Sequence, residues 1–212
     1  EGKTAGIVRG YTVTTGVWAR YVLSSEYNVE LNKVHWTCTD DEHVAEFNLP
    51  SFADYASMGK SFEEMFANDN IVAAVGTLPE PVKNVQPLIG NPQEAGFASY
   101  RRSGVYPVNH GIVVKDELLE KYPGLAVDLF HALKSSKDKY LSSINKEGNL
   151  TAEDQLTVEL ERGVGGDPFP YGIEPNRLAL EALTQTAYDQ LITPRKFSVE
   201  ELFAEGTHDL IG

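Results

Sequence analysis

Three short apolar runs constrain this sequence more than any other feature: Ala5-Gly6-Ile7-Val8, Val34-His35-Trp36 and Ile71-Val72-Ala73-Ala74-Val75. Each has the length and side chains of a buried strand. A helix-patterned segment separates each from the next. Thr14 or Thr15 can cap the first helix, on which Trp18, Tyr21, Val22 and Ser25 share a face. Ser61-Phe62-Glu63-Glu64 is a capping box for the second, which runs to about Asn68. Strand, helix, strand, helix, strand specifies an α/β unit with a parallel sheet. Ligands of such sheets gather beyond the carboxyl ends of the strands. Here those ends are residues 9–15, 37–43 and 76–79.

The first of these ends carries the most chemistry. Arg9, Tyr11, Thr14 and Thr15 lie between a strand and a helix start, where free N–H groups and the helix dipole attract anions. The threonines either cap the helix or touch a ligand as well. His35 on the second strand and Asp40, Asp41 and His43 at its end have a spacing that matches no metal site, so no metal is expected. The lone Cys38 reads as a small buried hydrophobe rather than a nucleophile.

Residues 101–116 form a boundary. Beyond them the sequence is patterned almost wholly as helices, over about 116–122, 123–148, 151–161 and 175–191, with a short one opening at the Ser198-Val199-Glu200-Glu201 capping box. His110-Gly111-Ile112-Val113-Val114 reads as a strand crossing from one part to the other. The expected division is an α/β lobe with a strand-end ligand site over 1–105. The crossing strand and the helical C-terminal part of a second lobe then occupy 106–212.

A formal net charge of −13 argues against nucleic acid or an anionic membrane surface as partner, since both need basic patches. No stretch is apolar enough to span a membrane. One cysteine cannot form an internal disulfide, and with no signal peptide ahead of Glu1 the expected location is the cytoplasm.

Several segments in order resemble the 4,5-dihydroxyphthalate decarboxylase family. They are Gly2-Lys3-Thr4-Ala5-Gly6-Ile7-Val8 with Thr14-Thr15-Gly16-Val17-Trp18-Ala19-Arg20, then Gly104-Val105-Tyr106-Pro107-Val108-Asn109-His110. Asp167-Pro168-Phe169-Pro170-Tyr171-Gly172-Ile173-Glu174-Pro175-Asn176-Arg177 and Phe197-Ser198-Val199-Glu200-Glu201-Leu202-Phe203 follow. The resemblance covers essentially the whole chain. It implies a fold similar to type II periplasmic binding proteins, with two α/β lobes and a ligand between them. Two departures stand out. Family members carry an N-terminal portion that supplies the first strands of one lobe, so that lobe is expected to be incomplete. The family's arginine before the proline after the third strand is absent from Gly76-Thr77-Leu78-Pro79.

The resemblance also implies the chemistry, which is cofactor-independent decarboxylation of a hydroxylated aromatic acid. A hydroxyl para to the leaving carboxylate pushes electrons to the ring carbon, which is protonated and then loses carbon dioxide. Arg101 and Arg102 are candidates for gripping a carboxylate, and His110 for donating the proton. Tyr106 and Asn109 can orient hydroxyls. Arg9, Tyr11, Thr14 and Thr15 complete the expected binding set. The expected partner is a small aromatic carboxylate or another small anion. The alternative is a non-catalytic solute-binding protein of the same fold. If the first strands of a lobe are missing, Ile112-Val113-Val114 presents an unpaired edge, and the chain either self-associates along it or has a small, reorganised second lobe.

Overall fold

The computed structural model describes residues 1–56, 60–76, 82–146 and 148–212. They form two compact units. One comprises Glu1–Gly90 with Gln185–Lys196, the other Asn91–Thr184 with Phe197–Gly212.

The first unit is built on β1 (Thr4–Ile7), α1 (Thr14–Tyr27), β2 (His35–Cys38), β3 (Ala53–Tyr55), α2 (Phe62–Ala67) and β4 (Ala73–Val75). The strands make one parallel sheet in the order β3-β2-β1-β4. Successive side chains of β1 point to opposite faces. Ala5 and Ile7 join Trp36 and Cys38, their partners in register on β2, in one buried cluster. Gly6 faces the other way, against Phe62 of α2. A Cβ there would overlap the Phe62 ring, so only glycine lets α2 lie this close to the sheet. Phe62, Met65 and Ile71 form the second buried cluster.

α1 lies on the Ala5 and Ile7 face, and a Cβ on its Gly16 would sit 3.3 Å from the Ile7 side chain. Its buried residues are Gly16, Val17, Trp18 and Arg20, while Ser25 is exposed. The inward face is therefore rotated from the one expected, and it includes a charge. A long side chain on a helix reaches back toward the N-terminus. Arg20 uses that reach to meet the Tyr11 carbonyl and the Gln190 side chain rather than water. β3 was not foreseen, being a three-residue strand that contains an aspartate.

The second unit is helical among its described residues. It contains α3 (Pro92–Ser103), α4 (Asp116–Lys121), α5 (Leu125–Ser143), α6 (Ala152–Val164) and the larger part of α7 (Ile173–Asp189). Asn91 caps α3 by accepting from the Glu94 N–H at 3.3 Å, and Thr151 with Asp154 forms a capping box on α6. Ile173, Leu180 and Val199 are the buried apolar centre, with Val108 against them. Lys137 of α5 is almost fully buried. It holds the turn before α7 by donating to the Asp167 carboxylate and, at 3.2 Å, to the Phe169 carbonyl.

The strand expected over residues 110–114 is not formed. Residues 104–115 carry no regular structure, and Ile112 and Val113 are 69% and 92% exposed. A strand needs a neighbour for its backbone groups, and no strand is assigned among the described residues of this unit. The expected helix over 123–148 stops at Ser143, and the turn after Ser198 is 3₁₀ rather than α.

The fold shared with type II periplasmic binding proteins is an expectation of the resemblance. The chain is α/β, with a four-stranded parallel sheet. Among the described residues no helix is long and apolar enough to cross a membrane.

Candidate functional site

The strand order fixes where a ligand site belongs in the first unit. β2 lies on one side of β1 and β4 on the other, so the order reverses between β1 and β4. The crevice beyond the carboxyl ends of two such strands is the favoured ligand position. Two described parts border it, the β1–α1 loop over residues 8–13 and the end of β4 with Gly76. The Val8 N–H joins them by donating to the Val75 carbonyl at 2.9 Å. The third expected strand-end segment begins at Gly76, and residues 77–79 lie outside the described residues.

The β1–α1 loop is tightly folded. Arg9 has a left-handed backbone with φ 77°, uncommon outside glycine. Its N–H donates to the Thr39 hydroxyl at 2.8 Å, and the Thr39 N–H returns to the Ile7 and Arg9 carbonyls at 3.1 and 3.2 Å. The loop after β2 is thereby pinned to the loop after β1. It brings Glu42 onto residues 10–12. The Glu42 carboxylate accepts from the Tyr11 N–H, from the Thr12 N–H at 3.0 Å and from the Thr12 hydroxyl at 2.5 Å. A Cβ on Gly10 would come within 2.8 Å of that carboxylate, so Gly10 forms the floor beneath it.

α1 begins immediately afterwards. No side chain caps it, and its first turn carries no acidic residue. Thr14 and Thr15 therefore stand at a helix start with free donors, as an anion site requires. Thr15 is exposed and Thr14 half-buried.

Tyr11 contributes through its backbone. Its side chain is fully buried and donates from its hydroxyl to the Gln190 carbonyl at 3.1 Å. Burial pushes the phenol above its usual value, with the nearby Arg20 charge opposing. Arg20 lies over the Tyr11 ring, 3.9 Å from its centroid. It donates from Nε to the Gln190 side chain and from Nη2 to the Tyr11 carbonyl, both at 2.7 Å. Desolvation lowers its affinity for its proton. Cys38 lies in the same core, and burial drives its thiol up to about 12, a poor state for a nucleophile. His35 pairs with Asp54 at 2.9 Å on the neighbouring strand.

The remaining expected residues lie in the second unit. Arg101 and Arg102 are exposed in the last turn of α3. Arg101 borders an open groove of about 360 Å³ with Asn91, Gln93, Glu94, Phe97, Glu159 and Arg162. The half-buried Tyr106 donates its hydroxyl to the Pro168 carbonyl at 3.1 Å and meets Tyr100 edge-on at 5.9 Å. Burial raises its phenol as well. Asn109 and His110 are exposed on the irregular segment. The structure thus groups Arg9, Tyr11, Thr14 and Thr15 at one loop–helix junction, and Arg101, Arg102, Tyr106, Asn109 and His110 along α3 and the segment after it.

Glu42 and Arg20 were not among the expected residues. The run Asp40-Asp41-Glu42 lies in an acidic loop of the ordinarily solvated kind, and nothing in the sequence marks Arg20 as buried. The available signal was a Gly10-Tyr11-Thr12 turn before an uncapped helix, whose N–H groups need an acceptor from elsewhere.

No family profile matches the chain. A curated relative does. It is 4,5-dihydroxyphthalate decarboxylase of Comamonas testosteroni, 24% identical over 220 aligned positions. The alignment covers 96% of this chain and 66% of the relative. The chain thus spans about two thirds of that protein's length, and the likeness is a distant one.

Proposed function

We propose that this chain decarboxylates a hydroxylated aromatic acid of the 4,5-dihydroxyphthalate type without a cofactor. The likeness to the Comamonas protein suggests the reaction. The observation that carries the proposal is that the loop at the sheet's switch point already holds a carboxylate, that of Glu42, on two backbone N–H groups and a hydroxyl. A loop built this way suits a substrate whose recognisable feature is a carboxylate.

In this reading Thr14, Thr15, Arg9 and the Tyr11 N–H bind the substrate anion, and Arg101 or Arg102 grips a carboxylate bidentately. His110 delivers a proton to the ring carbon that bears the leaving carboxylate. The para hydroxyl supplies the electron pair that forms this C–H bond. The bond to the carboxylate carbon then breaks, its electrons restore the aromatic ring, and carbon dioxide departs. The net change is the gain of one proton and the loss of carbon dioxide, so no redox partner is needed. Tyr106 and Asn109 orient the hydroxyls.

The test is turnover. The chain incubated with 4,5-dihydroxyphthalate should release carbon dioxide. His110→Gln should leave affinity within a few-fold and reduce turnover by about 10²-fold. Undiminished turnover in His110→Gln would remove His110 from the proton-donor role. Binding with no carbon dioxide release would point instead to a solute-binding protein.

A further inference from the structure

The carboxylate on the β1–α1 loop comes from the chain itself, and its setting is that of a ligand. Glu42 takes the Tyr11 N–H, the Thr12 N–H and the Thr12 hydroxyl, over a floor made by Gly10. Among the described residues no lysine, arginine or histidine pairs with it. It belongs to a stretch over residues 39–52 with no helix or strand, of which 43–46 are exposed. Phe47, Leu49 and Phe52 anchor the far side of the stretch in the core, so displacement of Glu42 needs only its own side chain to turn out.

A second observation points to the same place. Arg20 is fully buried, yet its partners are the neutral Gln190 side chain and the Tyr11 carbonyl. Among the described residues its Nη1 has no acceptor, and it lies 3.3 Å from where a Cβ on Gly16 would be, in the first turn of α1. A buried guanidinium without a carboxylate partner is costly unless negative charge is held nearby. The peptide group joining Tyr11 to Thr12 connects the two ends. Its carbonyl accepts from Arg20 Nη2, and its N–H donates to Glu42. A cation on the carbonyl polarises the peptide and strengthens the N–H as a donor to an anion.

We propose that this seat is a carboxylate-binding subsite in which Glu42 is a built-in competitor that a ligand carboxylate displaces. Arg20 is the positioning charge behind the seat. The inference rests on the reading that the ligand is a carboxylate, and not on whether that ligand then loses carbon dioxide. Exchange of one carboxylate for another leaves the local charge unchanged, and Glu42 regains water when it swings out.

The test uses Glu42→Ala in the full chain, with acetate and benzoate as probes and sodium chloride at matched ionic strength as control. Acetate should raise the melting temperature of Glu42→Ala and leave the unaltered chain unmoved, because only the vacated seat binds it. Benzoate should bind Glu42→Ala at least tenfold tighter than the unaltered chain. Adding Gly10→Ala places a methyl where the carboxylate sat, and should abolish both effects. If Glu42→Ala does not fold, Glu42→Gln keeps the shape without the charge and should still bind benzoate more tightly than the unaltered chain. Acetate no better than chloride, with benzoate affinity equal or weaker in every Glu42 variant, would overturn the proposal. Carbon dioxide release is not read here. A chain that binds without turnover therefore fails the decarboxylase reading alone, and one that turns over with no competition at Glu42 fails this one alone.

Discussion

Arg20 and Glu42 meet through a single peptide group. The guanidinium donates to the Tyr11 carbonyl at 2.7 Å, and the N–H of the same peptide, that of Thr12, donates to the Glu42 carboxylate at 3.0 Å. A cation inside the core and an anion at the rim thereby share one peptide group. The arrangement binds the β1–α1 loop to the core below it and to the loop after β2 above it.

Gln190 anchors the buried end of that arrangement. It accepts from Arg20 Nε at 2.7 Å and donates to the Val17 carbonyl at 3.0 Å, with only 1% of its surface exposed. Gln190→Ala leaves a buried cation and a buried carbonyl short of partners, and should cost about 3 kcal/mol of folding stability. Urea unfolding of both proteins measures the difference. A loss below about 0.5 kcal/mol would mean that water replaces the amide freely.

Much of the first unit was legible in the sequence. β1, β2 and β4 are apolar runs that remain strands wherever helices cover them, and Ser61 with Glu64 caps α2 as their spacing requires. β3 was not legible, because Ala53, Asp54 and Tyr55 pair with β2 through register rather than through apolar content. The segment 110–114 erred the other way. Its β-branched residues favour a strand, but strand formation is decided by a neighbour, and sequence pattern is silent on that. In the site, the helix start with Thr14 and Thr15 was legible. The contact of Glu42 with Tyr11 and Thr12 was not, since a carboxylate in an acidic loop carries no mark of the backbone it will meet.

Cys38 makes stability depend on alkaline pH. Its folded-state thiol is pushed from about 9 up to about 12 by burial. Above pH 9 the unfolded chain gives up this proton while the folded chain keeps it. The contribution is therefore whole below pH 9 and is lost as pH rises toward 12. Between pH 9 and 10.5 the unaltered protein should lose stability faster than Cys38→Ala, by about 1 kcal/mol per pH unit. Parallel denaturation curves for the two proteins would contradict this. The native thiol should also resist alkylation at neutral pH until the chain unfolds.

Lys137 of the second unit pairs with Asp167, with the lysine side chain only 5% exposed and the aspartate side chain 34% exposed. Asp167→Asn strands a buried ammonium and should cost about 3 kcal/mol, whereas Lys137→Met in the same chain should recover a good part of it. Thermal unfolding of the single and double variants decides this. Additive losses would show that the pair is not coupled.

Ile112 and Val113 are apolar, β-branched and exposed on a segment with no strand partner. Exposed apolar, β-branched residues of this kind can pair with another copy of the chain. Light scattering should give a mass above that of one chain, and Val113→Lys should return it to one chain with folding stability changed by less than about 0.5 kcal/mol. A single-chain mass for the unaltered protein at high concentration would contradict it.

Turnover is the most direct measurement. The chain is incubated with 4,5-dihydroxyphthalate, and carbon dioxide is followed together with the ring product. The predicted result is stoichiometric carbon dioxide and 3,4-dihydroxybenzoate, with no added cofactor and with turnover lowered about 10²-fold in His110→Gln. Saturable binding of the acid with no carbon dioxide and no ring product would contradict it.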